Sequence, residues 1–316
     1  MILFHPLTIA DKALIEQRVF NTECRNCDLS VANLVSWRFL YDTEVADYNG
    51  WLLFRFKADG HLAYLAPVGE GNWRKVLTDM MADAEAQGHP FLMLGVCEHS
   101  LALLDAAMPG YFYATADRNF TDYIYNRTQL TTLSGKKMQP KRNFVNRFTR
   151  NYPNYCFLPL KPNHFEECLA LDTQWTATKS GDEERGRYTY EAERRSLENV
   201  FAHWNELEML GGVLCVDNRI VAFTYGCPIN RDTFDVCFEK ADTSYEGAFA
   251  TINRDFVRSL PPQYELINRE EDLGVEGLRQ AKLSYHPSSL LHKYTVMTKH
   301  PFSADCEPVA SADVQN

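Results

Sequence analysis

Leu207-Glu208-Met209-Leu210-Gly211-Gly212-Val213-Leu214-Cys215-Val216-Asp217-Asn218-Arg219-Ile220-Val221-Ala222-Phe223-Thr224-Tyr225-Gly226-Cys227 sets two apolar, β-rich runs on either side of Asp217-Asn218. Asp and Asn tolerate the left-handed backbone of a tight turn, so residues 207–216 and 219–227 predict a β-hairpin. Downstream, 234–239 predicts a strand, 247–260 a helix stopped by Pro261-Pro262, and 264–267 another strand. Residues 275–285 read as a short helix and 291–297 as a last strand. Upstream, 137–152, 163–178 and 189–204 read as helices from their apolar spacing.

The first half repeats this order. Helices are expected over 8–20, with Thr8 as cap, and from Asp28 to Leu40, with Asp28 capping the exposed amides. A hairpin is expected from 51–56 and 61–66 around Lys57-Ala58-Asp59-Gly60. Then come a helix over 72–87, a strand over 91–96, a short helix over 101–108, and strands over 111–115 and 121–125. The shared order predicts an α+β fold of two similar domains, 1–132 and 133–300, rather than one doubly wound sheet. Residues 301–316, rich in Ser, Ala, Asp and Pro, are expected to be a disordered tail.

Composition narrows the function. Hydrophobic residues make up 45% and charged residues 23%, as in an ordinary globular protein. The formal net charge of −10 excludes a nucleic-acid coat protein and leaves room only for a local basic patch. No stretch reaches the roughly 18 apolar residues of a membrane helix, and the first residues lack a basic leader. A cytoplasmic protein without a membrane span is expected. The nine cysteines are irregularly spaced, several within strand-like runs, and suit a reducing compartment. Cys24-Arg25-Asn26-Cys27 has no second ligand pair, and the histidines do not cluster, so no metal site is expected. No GxGxxG, GxxxxGK[ST] or GxSxG pattern is present.

Three segments carry candidate chemistry. From Lys136 to Arg150 there are six basic residues and no acidic one, a pattern that suits phosphate or equally a solvated helix face. Asn268-Arg269-Glu270-Glu271-Asp272-Leu273-Gly274 follows directly on an apolar strand, and strand ends are where sites gather. Behind it, Arg279 and Lys282 share one helical face. Gly247-Ala248 opens a helix after a polar loop, where small residues let a ligand approach the amides.

These residues carry a resemblance. Cys27-Asp28, Asn33-Leu34 and Trp37 belong to it, as do Ser134-Gly135-Lys136-Lys137 through Arg142-Asn143 and Glu239-Lys240. Asn268 through Gly274, Gly277-Leu278-Arg279 and Lys282 complete it. Together they resemble the bacterial phosphatidylglycerol lysyltransferase C-terminal-domain-like family, over nearly the whole chain. The resemblance implies two tandem GNAT-like acyltransferase domains with mixed, mostly antiparallel sheets. It also implies transfer of an aminoacyl group from aminoacyl-tRNA to a lipid or peptide. With no membrane-spanning half, a small amine or peptide acceptor fits as well as a lipid.

Acyl transfer needs a neutral nucleophile, oxyanion stabilisation and a proton for the leaving group. Lys136, Lys137, Arg142, Arg279 and Lys282 are expected to hold donor phosphate or carboxylate, with Gly247 giving close access. Asn268, Arg269 and the amides near Gly274 would orient the reacting group. Glu239, Glu270 or Asp272 would bind the amine or act as base, and Tyr285 would give a proton. No permanently bound cofactor is expected; the donor is aminoacyl-tRNA, contacted at its acceptor end, or acyl-CoA. DNA is not an expected partner. The alternatives are an acyl-CoA N-acetyltransferase and a non-catalytic ligand-binding module.

Overall fold

The computed structural model describes residues 1–178 and 188–300. The chain begins with β1 (His5–Pro6), α1 (Lys12–Val19), α2 (Val31–Ser36), α3 (Arg38–Tyr41), β2 (Glu44–Tyr48), β3 (Trp51–Ala58) and β4 (His61–Tyr64). Next come β5 (Val68–Gly69), α4 (Trp73–Ala86), β6 (Leu92–Cys97), α5 (Glu98–Ala107) and β7 (Phe112–Ala116). Then follow β8 (Asp122–Asn126), α6 (Arg127–Thr132), α7 (Gln139–Asn151), β9 (Cys156–Pro159), α8 (Phe165–Ala177) and α9 (Tyr190–Ala202). The remainder is β10 (Leu210–Val216), β11 (Arg219–Pro228), β12 (Thr233–Ala241), α10 (Ala248–Ser259), β13 (Leu266–Asn268), α11 (Glu276–Leu283), β14 (Ser289–Leu291) and β15 (Lys293–Thr298).

The class is α+β, as expected, and the chain forms two compact units. The first comprises 1–6, 42–116 and the segment from Tyr294. Its sheet runs β1-β2-β3-β4-β6-β15-β7, with β5 beside β3. Leu53 and Tyr64 from the sheet and Leu77 and Met80 from α4 share its core. The second unit comprises Leu7–Tyr41 and Asp117–Lys293. Its sheet runs β14-β8-β13-β12-β11-β10-β9. Among these pairs only β12 and β13 are parallel.

The expected cut after residue 132 falls inside the second unit, between α6 and α7. Residues 7–41 also belong there, because α1 and α2 bury Ile15, Val19, Leu34 and Val35 and α2 packs on α9 and β11. The helix expected from Asp28 is broken. Cys27–Leu29 is a 3-10 turn, and Ser30, whose side chain accepts from the Asn33 amide at 3.3 Å, caps α2 instead. The Asp28 carboxylate turns to Lys293, as described below. No helix among the described residues is long and apolar enough to cross a membrane.

Gly247 shows how the helices of the second unit are fitted. Its φ is +93°, and an added Cβ would lie 2.3 Å from the Phe144 carbonyl oxygen on α7. The close approach that this glycine permits is therefore made by the protein's own α7, a correction to its expected role beside a ligand. Both the backbone and the crossing reject a side chain here, so Gly247→Ala should lower stability by about 2 kcal/mol or more. A denaturation midpoint equal to wild type would contradict that packing.

Candidate active site

Strands β12 and β13 run together for only three residue pairs, Thr233 with Leu266, Phe234 with Ile267 and Asp235 with Asn268. β13 then stops while β12 continues to Ala241. The chain after β13 bends sharply, with positive φ at Glu270, Leu273 and Gly274. Polar residues thus gather along the open flank of β12. One residue more on β12 than on β11 between the Tyr225 and Cys227 pairings makes a bulge that re-aims the side chains beyond it.

Asp272 is fully buried. Its carboxylate accepts from Tyr123 Oη at 2.5 Å, Arg118 Nη1 at 3.2 Å, Arg279 Nε at 2.9 Å and Nη2 at 2.8 Å, and the Gly274 amide at 2.9 Å. Burial works against its charge, but Arg279, Tyr123 and the Gly274 amide prevail and hold it at about 2. A carboxylate so saturated is no base. It fixes two guanidinium groups, Arg118 and Arg279, which remain partly exposed.

Glu270 lies beside a second buried acid. Asn33 Nδ2 donates to Glu270 Oε1 at 2.8 Å and reaches Asp235 Oδ2 at 3.4 Å. The Asn268 side chain orders the bend, accepting from the Glu270 amide at 2.7 Å and donating to Asp122 at 2.9 Å. Burial, and next the charge of Glu271, push Glu270 up to about 8. Burial, with Glu270 adding to it, also pushes Asp235 well up. Glu270 therefore holds a proton at neutral pH.

A third group surrounds Lys293. Its ammonium lies 2.8 Å from Asp122, 2.9 Å from Asp28 and 3.6 Å from Glu271, and donates to Cys27 Sγ at 3.3 Å. Burial opposes the charge of Lys293, but these acids outweigh it and hold the amine well above its ordinary value. Donor atoms of Cys27, Asp122 and Glu271 lie close enough to share a metal ion, and so do those of Asp235, Cys237 and Glu270. In the first group the Lys293 ammonium already contacts all three donors.

Arg269 and Glu239 form the fourth. Arg269 Nη2 donates to Glu239 Oε1 at 3.0 Å, and Asn253 Nδ2 donates to Oε2 at 3.3 Å. The Arg269 guanidinium lies 4.9 Å from the Tyr285 ring centroid, and Lys141 Nζ lies 4.1 Å from it. Burial raises Tyr285 to about 12, so its phenol stays protonated.

The predicted run from Asn268 to Gly274 is thus brought together with Glu239, Arg279, Lys282 and Tyr285. Other expected cations are engaged elsewhere. Arg142 Nη1 donates to the Gly135 carbonyl at 2.7 Å and to that of Leu133, closing the end of α6. Lys282 is buried and donates to the carbonyls of Arg269, at 2.5 Å, and Glu271. Lys136 and Lys137 are exposed before α7. Sequence reasoning missed Asp122, Asp235, Lys293, Arg118, Tyr123 and the part played by Lys141. A buried acid in the aromatic run Asp122-Tyr123-Ile124-Tyr125 was the one local signal.

The phosphatidylglycerol lysyltransferase C-terminal family matches residues 21–297. A solved conserved protein of unknown function from Bacteroides thetaiotaomicron is 47% identical, with a TM-score of 0.91, covering 95% of this chain and 100% of that one. L-PGS from Bacillus licheniformis is similar in fold, with a TM-score of 0.64 at 17% identity over 92% of each chain. An uncharacterised protein of Mycoplasmoides gallisepticum is 23% identical over 176 residues, 56% of each protein. The chain thus matches about half the length of that curated relative.

Proposed function

Because the chain belongs to the phosphatidylglycerol lysyltransferase C-terminal family, we propose that it is an acyltransferase of GNAT-like plan that moves an aminoacyl group from aminoacyl-tRNA to an amine or hydroxyl acceptor. The observation that carries this reading is the convergence of the Asn268–Gly274 run on the flank where β12 and β13 part. Arg118 and Arg279, oriented by Asp272, meet the anionic donor. As the ester C–O bond of the donor breaks, Glu270 gives the leaving hydroxyl its proton and, as the resulting carboxylate, takes up the one that the attacking amine or hydroxyl releases, since a carboxyl held at about 8 matches acid–base work near neutral pH. The acyl-CoA alternative is less favoured, because the helix start at Gly247 is closed by Phe144.

The test is incubation with bulk charged tRNA and, in parallel, acetyl-CoA. Discharge of tRNA is expected, and Arg279→Ala should lower its rate about 100-fold, the scale of one lost transition-state contact. Consumption of acetyl-CoA alone would overturn the reading.

A pH profile tests Glu270. As a general acid it is active below its raised value, so the transfer rate should fall as pH rises through about 8. Glu270→Gln should be slow at all pH values and lack that limb. An unchanged limb in the variant would assign it to another group.

A further inference from the structure

We propose that Lys141 and Arg269 form an oxyanion-binding subsite, which takes a single negatively charged phosphate or carboxylate group of the substrate. Arg269 Nη1 is buried and has no hydrogen-bond partner. Buried donors are rarely left unsatisfied, and one that is can take an acceptor from a ligand or from water. Lys141, on α7, lies 4.1 Å from the centroid of the same Tyr285 ring, and among the described residues it makes no hydrogen bond. The charges that bear on Lys141 are Arg269 and Glu239. Two cations against one carboxylate leave one positive charge, which an oxyanion of one negative charge would balance.

The subsite is also rigidly built. Lys141 is carried by the helix that abuts Gly247, and its neighbour Arg142 ties that helix to the end of α6. Arg269 is held by its own amide, which donates to the Tyr123 carbonyl at 3.0 Å, and by Lys282 on its carbonyl. Asn253, which also donates to Glu239, leaves its Oδ1 buried without a partner. Burial, with Arg269 adding to it, lowers Lys141 to about 8, which makes it more reactive than an ordinary lysine.

The proposal rests on the acyl-transfer reading only for the identity of the ligand, and the test does not need turnover. Full-length protein is labelled with trinitrobenzenesulfonate at pH 8, and each lysine is followed by peptide mass mapping. Adenosine 5′-monophosphate, inorganic phosphate and acetate are added separately. Slowing of Lys141 labelling by about tenfold, with Lys136 and Lys137 unchanged, supports the subsite. Protection by the phosphates assigns the ligand as a phosphate, and protection by acetate alone as a carboxylate. Binding of the protecting probe should survive Lys141→Arg and be lost in Lys141→Met. No protection by any probe, or protection that persists equally when Arg269 is replaced by Gln in a folded variant, would overturn it. Neither result depends on whether tRNA is discharged.

Discussion

Lys293→Met should cost about 3–5 kcal/mol of folding stability, the penalty for stranding buried charge. The methionine is similar in length, so little packing is lost. What remains is Asp122, fully buried, with Asp28 and Glu271, and without the ammonium that contacts all three. Chemical denaturation at neutral pH measures the loss. Lys293→Met combined with Asp122→Asn should be more stable than Lys293→Met alone, because the stranded charge has gone as well. If the double variant is no better, the loss comes from packing and the ion cluster is not its source.

Asp272→Asn ranks next and strikes both stability and activity. Five donated hydrogen bonds reach this carboxylate, two guanidinium groups among them. An amide cannot neutralise Arg118 and Arg279, so a loss of about 3–5 kcal/mol is again expected. Its pH dependence separates charge from shape. An unfolded Asp titrates at about 3.9, and here the folded group sits at about 2. Its stabilisation is therefore complete above the unfolded value and is lost as pH falls through the folded one. The gap between wild type and Asp272→Asn should shrink steadily from about pH 4 towards about pH 2. A gap independent of pH would mean that Asp272 acts by shape alone.

The helices α7 to α10 and the hairpin β10–β11 were legible because their apolar periodicity is local. Strand β9 was not, since Cys156-Phe157-Leu158-Pro159 lies at the sheet's edge, mostly exposed, and ends in proline. Strand β2 was missed because it is short, opens on Glu44 and carries Asp47 among its apolar residues. The unit boundary was hidden because α2 packs on α9 and β11, more than 150 residues later; Asn199 of α9 donates its side chain to the Ser36 carbonyl across 163 positions.

The candidate site divides in the same way. The run from Asn268 to Gly274 announced itself as polar sequence at a strand end. Its roles did not. Asp272 looks like a base in sequence, and only Arg118, 154 positions away, together with Arg279, shows it to be an anchor. Cys27 read as half of a lone CxxC and Lys293 as one residue of a strand over 291–297, yet the two touch across 266 positions. Such meaning arises from long-range contact, which no local pattern records.

That contact also bears on how the chain is made. Lys293 is the final residue of the second unit, while Asp28 lies 265 positions before it and Asp122 is likewise translated well ahead of it. Until position 293 leaves the ribosome, those acids lack their internal counterion, and the second unit cannot reach its final state. Contacts between distant positions also slow folding, because the chain between them must first be ordered. The second unit of such a chain stays open to chaperones and proteases until that residue has joined it.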